Sequence, residues 1–400
     1  MLRVLTLSSL FPDARRPNFG IFVERQTLGL AAEQGVEVQV VAPVGLPPFP
    51  LRLHPRFSGR GRLPSIESWK GLQVHRPAFP HLPGPGMRLA PMMMARTLLP
   101  LLRAIRTDFP FDIIDTEYFW PDGPAAVALG RALDVPVSIK ARGSDIHLWG
   151  KRGFSRRQIL EAGQAADGML AVSAALKRDM AALGLPEQKI QVHYTGVDLD
   201  CFAIADRAIE KTALGITGPL ILAVGYLIER KGQDIVVEAM RHLPDASLIL
   251  IGDGPARPAL EARIAQAGLD HRVRLVGSVP HEDLPRWFAA ADVSVLPSAS
   301  EGLANVWVES LACGTPIVIA DVGGAREVVD NPAAGRIVER SPSAVADAIR
   351  DLLASPAPRE ATRQTATRFT WTANAKALAN HLSTLVQRHQ RRGDPAILAT

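Results

Sequence analysis

The chain has 400 residues and a mass of 43.1 kDa, and 47% of its residues are hydrophobic, 21% are charged and 32 are glycines. This composition excludes a disordered chain, a collagen-like repeat and a disulfide scaffold. Aromatic residues make up only 6% of the chain, which disfavours an aromatic-rich all-β binding module. At roughly 150 residues per domain, the length predicts two to three domains.

Cysteine content, hydropathy and the first ten residues all bear on the compartment of the protein, and the low cysteine content suits a reducing one. The two cysteines, Cys201 and Cys313, cannot cross-link a chain of this length and cannot form a zinc site alone. No apolar run reaches the ~18 residues that span a bilayer. The first ten residues lack the long apolar region and the small-residue cleavage site of a signal peptide, and we interpret them as a strand. We therefore expect a cytoplasmic protein.

Positive charge is concentrated near the N-terminus. The formal net charge is +5, but residues 1–110 hold fourteen Lys and Arg against six Asp and Glu, a local charge of +8. Such a segment favours an anionic partner, which could be nucleic acid, acidic lipid or a phosphorylated substrate. Arginines that only make the surface soluble are an equally good explanation.

Short apolar runs with strand propensity alternate with helical patterns along the chain. Strands are predicted at Val4–Leu7, Val36–Val41, Ile113–Asp115, Val137–Ile139, Gly168–Val172 and Ile190–Val192 in the first half. In the second half they are predicted at Leu220–Val224, Ser247–Ile251, Val273–Val276, Val293–Leu296 and Pro316–Ile319. Predicted helices include Ile21–Gln34, Gln233–Arg241, Arg257–Ala267 and Asn305–Cys313.

This alternation predicts an α/β fold with parallel sheets that are covered by helices on both faces. The strand pattern restarts near residue 219, which favours two doubly wound, Rossmann-like domains with a linker in Thr195–Gly218. Ligands of such domains bind at the carboxyl ends of the strands. We expect the two domains to face a central cleft and the chemistry to lie on loops that follow strands.

The Pro43–Pro91 segment interrupts the first predicted domain and is rich in proline and basic residues, with one strand predicted at Leu72–His75. At the other end of the chain, residues 391–400 are predicted to form a loose tail.

The apolar segment 92–106 carries Arg96, Arg103 and Arg106, which lie within about 80° of one another on a helical projection. Pro100 is predicted to end or kink this helix. The basic stripe predicts either a helix on a membrane surface or a helix packed on the sheet with its arginines in water.

The strongest functional signal follows the predicted strand Val293–Leu296. A loop carries Glu301, and a helix begins at Asn305. Free N–H groups and the dipole at the start of a helix bind anions. The residues predicted to bind a diphosphate are therefore Gly302, Leu303, Ala304 and Asn305.

Two carboxylates flank this predicted phosphate site. Glu301 precedes the helix and Glu309 lies about one turn into it, so the two side chains are expected to meet different parts of one ligand. Carboxylates accept hydrogen bonds from sugar hydroxyls, so two of them beside a phosphate site suggest that the ligand's hydroxyl groups are recognised there. Taken alone, each glutamate has an ordinary structural explanation, as a helix cap or a surface residue.

A second signal, VGYLIERKG, follows the predicted strand Leu220–Val224. Gly225 lets the chain turn at the strand end, and Arg230 and Lys231 are expected to balance the charge of a leaving diphosphate. A solvated basic pair is the alternative. The sequence contains neither the dinucleotide-binding G-x-G-x-x-G nor the P-loop G-x-x-x-x-G-K-[ST] pattern.

These motifs together resemble the retaining nucleotide-sugar glycosyltransferases of family 4, which have the GT-B fold. The resemblance covers roughly residues 1–385 and rests on the E-x7-E spacing of Glu301 and Glu309, the VGYLIERKG run, IGDGP and DVGG. It implies an acceptor-binding domain at 1–195 and a nucleotide-sugar-binding domain at 196–370. A final helix at 371–390 would cross back to the first domain.

The resemblance also implies residue roles. Glu309 would hold the ribose hydroxyls and Glu301 the donor sugar, while the amides of residues 302–305 would bind sugar and diphosphate. Lys231 and Arg230 would neutralise the diphosphate. Gly20 matches the glycine of the family's first loop, where the backbone approaches donor phosphate and acceptor.

Two positions depart from the family pattern. Many members have arginine directly after the glycine of the first donor loop, where this chain has Tyr226. Many also have histidine in an H-G-x-D motif, where this chain has Arg142-Gly143-Ser144-Asp145. Arginine cannot act as a base at neutral pH, so a histidine role does not transfer, and Arg142 is instead a candidate phosphate ligand.

Metal binding is not expected. Asp198 and Asp200 have D-x-D spacing but lie away from the donor loops, and His147, His193 and His281 are isolated histidines with structural roles as the better explanation. The resemblance implies metal-independent transfer, with no cofactor beyond the nucleotide-diphosphate sugar that is the substrate.

The resemblance thus implies a hexosyltransferase-type retaining enzyme acting on a hydroxyl acceptor, such as a cell-envelope, exopolysaccharide or lipid-linked glycan precursor. Expected partners are a nucleotide sugar, that acceptor and an anionic inner-membrane surface, but no nucleic acid. A nucleotide-sugar 2-epimerase or a phosphorylase on the same fold, and a catalytically silent sugar-nucleotide binding protein, remain alternatives.

Overall fold

The structure is a computed structural model and describes residues 1–53 and 63–392. Arg56, Arg60 and Arg62 of the basic N-terminal segment, and the predicted tail beyond residue 392, lie outside the described residues.

The chain forms two compact units. One comprises Met1–Tyr194 together with the described residues from Thr372 onward, and the other comprises Thr195–Trp371. The domain boundaries predicted from the sequence lie close to these divisions. The binding roles assigned to the two domains remain predictions.

Within its described residues, the first unit is built on a mostly parallel sheet of eight strands, and two further strands form a separate pair. Its strands are β1 (Leu2–Leu7), β2 (Val36–Val41), β3 (Val44–Leu46), β4 (Ile66–Trp69), β5 (Leu72–His75), β6 (Ala78–Pro80), β7 (Ile113–Thr116), β8 (Val137–Ala141), β9 (Gly168–Ala171) and β10 (Ile190–Val192). Its helices are α1 (Ile21–Ala32), α2 (Ala90–Asp108), α3 (Asp122–Leu133), α4 (Gly153–Ala165) and α5 (Ala174–Leu183), with the C-terminal helix Trp371–Arg392 added at the end of the chain.

The main sheet has the order β10-β9-β8-β7-β1-β2-β5-β4, and every neighbouring pair is parallel except β4 with β5. A separate parallel pair joins β3 to β6. From β1 the strand order runs to one edge of the sheet through β2, and from β7 it runs to the other edge through β8. The loops after β1 and β7 therefore flank a topological switch point.

Helix α2 continues through Pro100 to Asp108, so Pro100 does not end the helix, and a kink, the other predicted outcome, stays a prediction. A proline inside a helix removes one backbone hydrogen bond. The buried side chains of Met94, Leu98 and Leu102 anchor both halves of the helix, and this packing outweighs the lost bond.

The second unit contains six parallel strands within its described residues 195–371. They are β11 (Leu220–Val224), β12 (Ser247–Ile251), β13 (Val273–Gly277), β14 (Val293–Leu296), β15 (Ile317–Ala320) and β16 (Gly335–Val338). Its helices are α6 (Arg207–Ala213), α7 (Gln233–Ala239), α8 (Arg257–Gln266), α9 (Leu284–Ala290), α10 (Asn305–Ala312), α11 (Ala325–Val328), α12 (Pro342–Ala354) and α13 (Arg359–Gln364). The C-terminal helix Trp371–Arg392 is therefore α14.

This second sheet has the order β13-β12-β11-β14-β15-β16, which is the doubly wound arrangement of a Rossmann fold. Its core is aliphatic and includes Leu248, Val293 and Val318, all fully buried. The switch point lies between β11 and β14, so the loops after these strands form the expected ligand-binding edge.

The predicted linker Thr195–Gly218 is instead part of the second unit. Asp206 caps α6 by accepting hydrogen bonds from the N–H groups of Ala208 and Ile209, and Val197 pairs with Thr370. The mixed charge of this stretch therefore reflects a capped surface helix rather than a flexible connection.

Helix α14 packs on the sheet of the first unit. Its Leu378, Leu382 and Leu385 join one apolar cluster with Val4 and Ile113. Among the described residues, no helix combines the length and apolarity that crossing a bilayer requires.

Candidate functional site

Lys231 and Glu301 form an ion pair at the switch point of the second unit. Lys231 lies on the loop after β11 and Glu301 on the loop after β14, and Lys231 Nζ is 2.6 Å from Glu301 Oε1. Their side chains are 15% and 10% exposed. The ammonium can donate three hydrogen bonds, and within the described residues it makes one, so two donors remain for an anionic ligand.

Arg230 fastens the same two loops together. Its guanidinium donates to the carbonyl of Ser300, and its carbonyl accepts a hydrogen bond of 2.7 Å from the N–H of Ala299. Its Nη1 atom is 4.0 Å from Glu301 Oε2. The predicted catalytic residues Lys231, Arg230 and Glu301 are therefore neighbours.

Gly232 lets the first loop approach the second. Its φ is +73°, and a Cβ at this position would lie 2.6 Å from the carbonyl oxygen of Pro297. Gly225, at the start of the loop, donates a hydrogen bond of 2.9 Å to the carbonyl of Ile251 on the neighbouring strand. The backbone of the loop is thus fixed at both ends.

The predicted diphosphate-binding residues lead into helix α10. Leu303 and Ala304 are buried, and the Gly302 carbonyl accepts a hydrogen bond from Gly324 N–H. Ala304 is the N-cap and provides no side-chain acceptor for the first N–H groups of the helix. The Asn305 side chain is held through Oδ1, which accepts a bond of 2.8 Å from Thr195 Oγ1.

Glu309 lies on α10 with its side chain 8% exposed, and its Oε1 is 2.9 Å from Nε2 of His281. The prediction of a structural role for an isolated His281 missed this contact. Its two members are 28 residues apart, and no local pattern links them.

Gly20, predicted at the acceptor side, is the N-cap of α1 in the first unit. Its φ is +71°, and a Cβ there would lie 1.4 Å from the carbonyl oxygen of Leu10. Only glycine therefore allows the loop after β1 to fold against the start of α1.

We expect Gly20→Ala to lower the free energy of unfolding by at least about 1 kcal/mol more than Gly35→Ala. Gly35 has φ +79° but no atom within 4 Å of its Cβ position, so it carries only the conformational cost. Denaturant unfolding of both variants measures the difference, and equal losses would contradict the close-approach explanation.

Asp145 organises the loop after β8. Its carboxylate accepts hydrogen bonds from the N–H groups of Arg142, Gly143, Ile146 and Phe119. Burial raises the pKa of Asp145, although these backbone donors oppose the shift. Asp145 is therefore a loop-shaping residue in this unit.

Arg142 is held by the protein itself. Its guanidinium donates to the carboxylate of Glu117, lies 4.8 Å over the Phe22 ring and has a side chain only 7% exposed. Its charge is therefore already balanced by a buried carboxylate, and its predicted binding to phosphate remains a prediction.

Sequence reasoning missed a buried polar network beneath α1 and α14. Gln26 donates to Glu117, Lys140 donates to Gln26 and to Nδ1 of His193, and His193 Nε2 is 2.8 Å from the carbonyl of Asn374. A signal for it exists in β8, because Ser138 and Lys140 are two positions apart in the strand and so share one face of the sheet.

Burial and neighbouring charges shift the pKa values of the ionisable groups in this network. Burial lowers the pKa of Lys140, and the neighbouring Arg142 lowers it further. Burial raises the pKa of Asp115 with help from Glu117, whereas Arg142 and Lys140 hold the pKa of Glu117 below its usual value against the effect of its own burial.

His381 on α14 extends the network and predicts acid sensitivity. Burial lowers its pKa to about 4, and its Nδ1 is 3.0 Å from Gln191 Oε1. The folded state thus prefers neutral histidine, whose stabilising effect is present above pH 6.5 and is lost as pH falls towards 4. We therefore expect the free energy of unfolding to fall by about 2 kcal/mol between pH 7 and pH 5 because of His381.

The matched variant is His381→Asn, which keeps a donor near Nδ1 but does not titrate. Urea unfolding at pH 7 and pH 5 should show a smaller acid loss in the variant than in the wild type. The same loss in both proteins would contradict the assignment.

The D-x-D pair has a structural explanation. Asp198 Oδ1 accepts hydrogen bonds from the N–H groups of Asp200 and Cys201 and so closes a turn. In the part of the chain that the structure describes, no group of three or more His, Cys, Asp or Glu side chains is arranged to hold a metal ion.

Comparison with known proteins identifies both halves of the chain. Residues 205–369 match the family described as Glycosyl transferases group 1, and residues 21–201 match Glycosyltransferase Family 4. The D-inositol 3-phosphate glycosyltransferase of Xylanimonas cellulosilytica is 30% identical over 370 residues, which cover 84% of this chain and 88% of that protein.

A second relative is the GDP-mannose-dependent alpha-(1-6)-phosphatidylinositol monomannoside mannosyltransferase of Mycolicibacterium smegmatis. It is 31% identical over 263 residues, covering 61% of this chain and 68% of that protein. The solved structure of sucrose-phosphate synthase from Thermosynechococcus elongatus covers 100% of both chains with a TM-score of 0.70 and 20% identity. This likeness confirms the predicted fold class of two Rossmann-like units.

Proposed function

This chain belongs to glycosyltransferase family 4, and we propose that it moves a sugar from a nucleotide-diphosphate sugar to a hydroxyl acceptor with retained anomeric configuration and without a metal ion. The observation that carries the proposal is the Lys231–Glu301 pair at the switch point, next to the uncapped start of α10. A cation beside the N-terminus of a helix suits a diphosphate, because the ammonium and the positive end of the helix dipole both favour negative charge.

Lys231 supplies the main positive charge. Glu301 balances this charge and holds the ammonium of Lys231, whose side chain is 15% exposed, between the two loops. Negative charge grows on the diphosphate as the sugar bond breaks, so a fixed ammonium stabilises the transition state more than the ground state. Arg230 supports Lys231 by holding the two loops together.

Glu301 and Glu309 bind different parts of the nucleotide sugar. Glu301, before α10, accepts hydrogen bonds from sugar hydroxyls, and Glu309, on the helix, accepts them from the ribose. Neither acts as a nucleophile. The acceptor attacks on the face from which the diphosphate leaves, and the departing phosphate oxygen takes the proton of the acceptor hydroxyl.

The first unit is assigned to the acceptor. One relative is named for inositol 3-phosphate and another for a phosphatidylinositol mannoside, both with hydroxyl groups near a phosphate. By analogy we propose a cell-envelope or lipid-linked glycan precursor, used at the cytoplasmic face of the membrane.

Donor binding is tested by a thermal-shift screen with UDP-, GDP- and ADP-sugars. A ligand that binds only the folded state stabilises it by RT ln(1 + [L]/Kd), so one nucleotide class should raise the melting temperature at millimolar concentration. The shift should be reduced in Glu309→Ala. A wild-type protein that none of the nucleotide sugars stabilises would contradict the proposal.

The basic stripe on α2 supports membrane association in a narrower form than the sequence predicted. Arg96 and Arg103 are exposed, whereas Arg106 donates to the Leu133 carbonyl at 2.5 Å and lies 5.5 Å over the Phe111 ring. We therefore assign the attraction for an anionic inner leaflet to Arg96 and Arg103. The competing possibility is a protein without membrane affinity, whose arginines bind phosphates of a small acceptor.

We expect binding to vesicles containing acidic lipid to fall about 30-fold in the Arg96→Gln/Arg103→Gln variant, at about 1 kcal/mol per arginine. Arg106→Gln is the matched control and should bind like the wild type. Flotation with acidic and neutral vesicles at low and high salt makes the measurement. Unchanged binding in the double variant, or no binding to acidic vesicles, would favour the competing possibility.

A further inference from the structure

Glu309 is a buried carboxylate with a single side-chain partner. Its side chain is 8% exposed, and its Oε1 atom meets Nε2 of His281 at 2.9 Å. No second side chain within residues 1–53 and 63–392 bonds to it. A buried carboxylate requires compensating hydrogen bonds, so this one contact has a large influence on where the Glu309 side chain lies.

His281 is fixed in the orientation that makes this contact. It begins the short turn His281–Asp283 that leads into α9, its side chain is 14% exposed, and its ring packs edge-on against Phe202 at 5.3 Å. An ionised carboxylate can only accept, so Nε2 carries the hydrogen and donates it to Glu309.

The other ring nitrogen of His281, Nδ1, makes no hydrogen bond to any residue that the structure describes. This nitrogen is nonetheless buried. Leaving a buried polar atom unpaired costs free energy. The ring is therefore placed for the bond from Nε2 to Glu309 and not for hydrogen bonding by both of its nitrogens.

We propose that His281 is a positioning residue of the nucleotide site. By fixing Oε1 of Glu309, it leaves Oε2 to accept hydrogen bonds from the vicinal hydroxyls of a nucleotide ribose. The inference rests on the proposed function, in which Glu309 holds the ribose. It assigns to His281 an effect on nucleotide affinity and KM, with little effect on the chemical step.

The test is a double-mutant cycle on full-length protein, with UDP, GDP and ADP as probes in calorimetric titrations. His281→Ala should weaken binding of the preferred nucleotide about tenfold and raise KM for the nucleotide sugar with kcat nearly unchanged. His281→Gln places an N–H donor near the position of Nε2 and should restore affinity to within about threefold. His281→Asn has the same amide on a shorter side chain and should behave like His281→Ala.

Combination with Glu309→Ala separates positioning from a general structural role. If His281 acts through Glu309, the double variant His281→Ala/Glu309→Ala binds no more weakly than Glu309→Ala alone. Thermal unfolding of each variant shows whether it is folded at the assay temperature, and His281→Gln supplies the comparison if His281→Ala is not.

Three results would overturn the inference. They are wild-type affinity in His281→Ala, equal affinities in the Gln and Asn variants, and additive losses in the double variant. In each case a wild-type protein that binds nucleotide leaves the proposed function standing. A wild-type protein that binds none of the three nucleotides overturns the proposed function and this inference together.

Discussion

Lys231→Ala should lower kcat by about 10²- to 10³-fold, which corresponds to about 2.7–4 kcal/mol of transition-state stabilisation. The ammonium is preorganised by its 2.6 Å contact with Glu301, so it does not have to be reoriented as charge develops on the leaving diphosphate. Steady-state release of nucleoside diphosphate from the preferred nucleotide sugar makes the measurement.

The chain offers a closely matched control in Lys211. Its Nζ is also 2.6 Å from a carboxylate, that of Asp292, and its side chain is 16% exposed, compared with 15% for Lys231. Lys211 lies on α6 and contacts Gly218 and Asp292, which precede β11 and β14, whereas the donor loops follow these two strands. Lys211→Ala should therefore keep its turnover, and near wild-type turnover in Lys231→Ala would refute the role of Lys231.

The two glutamates should separate in their kinetic effects. Glu301→Ala is expected to lower kcat by about 10²-fold, because it removes the partner that aims Lys231 and the contact to the donor sugar. Glu309→Ala is expected mainly to weaken nucleotide binding, by about tenfold or more, because its carboxylate is assigned to the ribose.

Nucleotide titrations and steady-state kinetics on both variants test this division. Glu210→Ala, which breaks the ion pair with Arg286 in the same unit, serves as the control for loss of a carboxylate. Equal losses of nucleotide affinity in Glu301→Ala and Glu309→Ala would show that the two glutamates do not have separate roles.

Much of the fold follows from local sequence pattern. The strands Val36–Val41, Leu220–Val224, Ser247–Ile251 and Val293–Leu296 have the predicted bounds, because each is a compact apolar run between turn or helix signals. The strands that sequence reasoning missed, β3, β4, β6 and β16, are three or four residues long. Their pairing with neighbouring strands, more than their own composition, makes them strands.

The candidate site was predictable residue by residue but not contact by contact. Motif position was enough to single out Lys231, Glu301 and Glu309. The ion pair between Lys231 and Glu301 depends on β11 lying beside β14, although two other strands separate them along the chain. The partner of Glu309 depends on how α9 and its preceding turn pack on α10, and tertiary packing of this kind leaves no local pattern.

The contacts of Arg142 also depend on tertiary packing and could not be predicted from the local sequence. Its position after a strand makes Arg142 a candidate phosphate ligand, which stays a prediction, but nothing in the local sequence indicates that it donates to Glu117 and lies over the Phe22 ring. The acidic residue that balances it lies 25 positions away on β7's following loop, so only the folded sheet brings the two charges together.

The most direct test of sugar transfer is release of free nucleoside diphosphate from a panel of nucleotide sugars, with and without EDTA. The account predicts that one nucleotide class is turned over, that EDTA leaves the rate unchanged, and that Lys231→Ala abolishes most of the release while Lys211→Ala does not. Binding of nucleotide sugar without any release would indicate a silent binding protein. Release that EDTA abolishes and magnesium or manganese restores would contradict metal-independent transfer at the Lys231–Glu301 site.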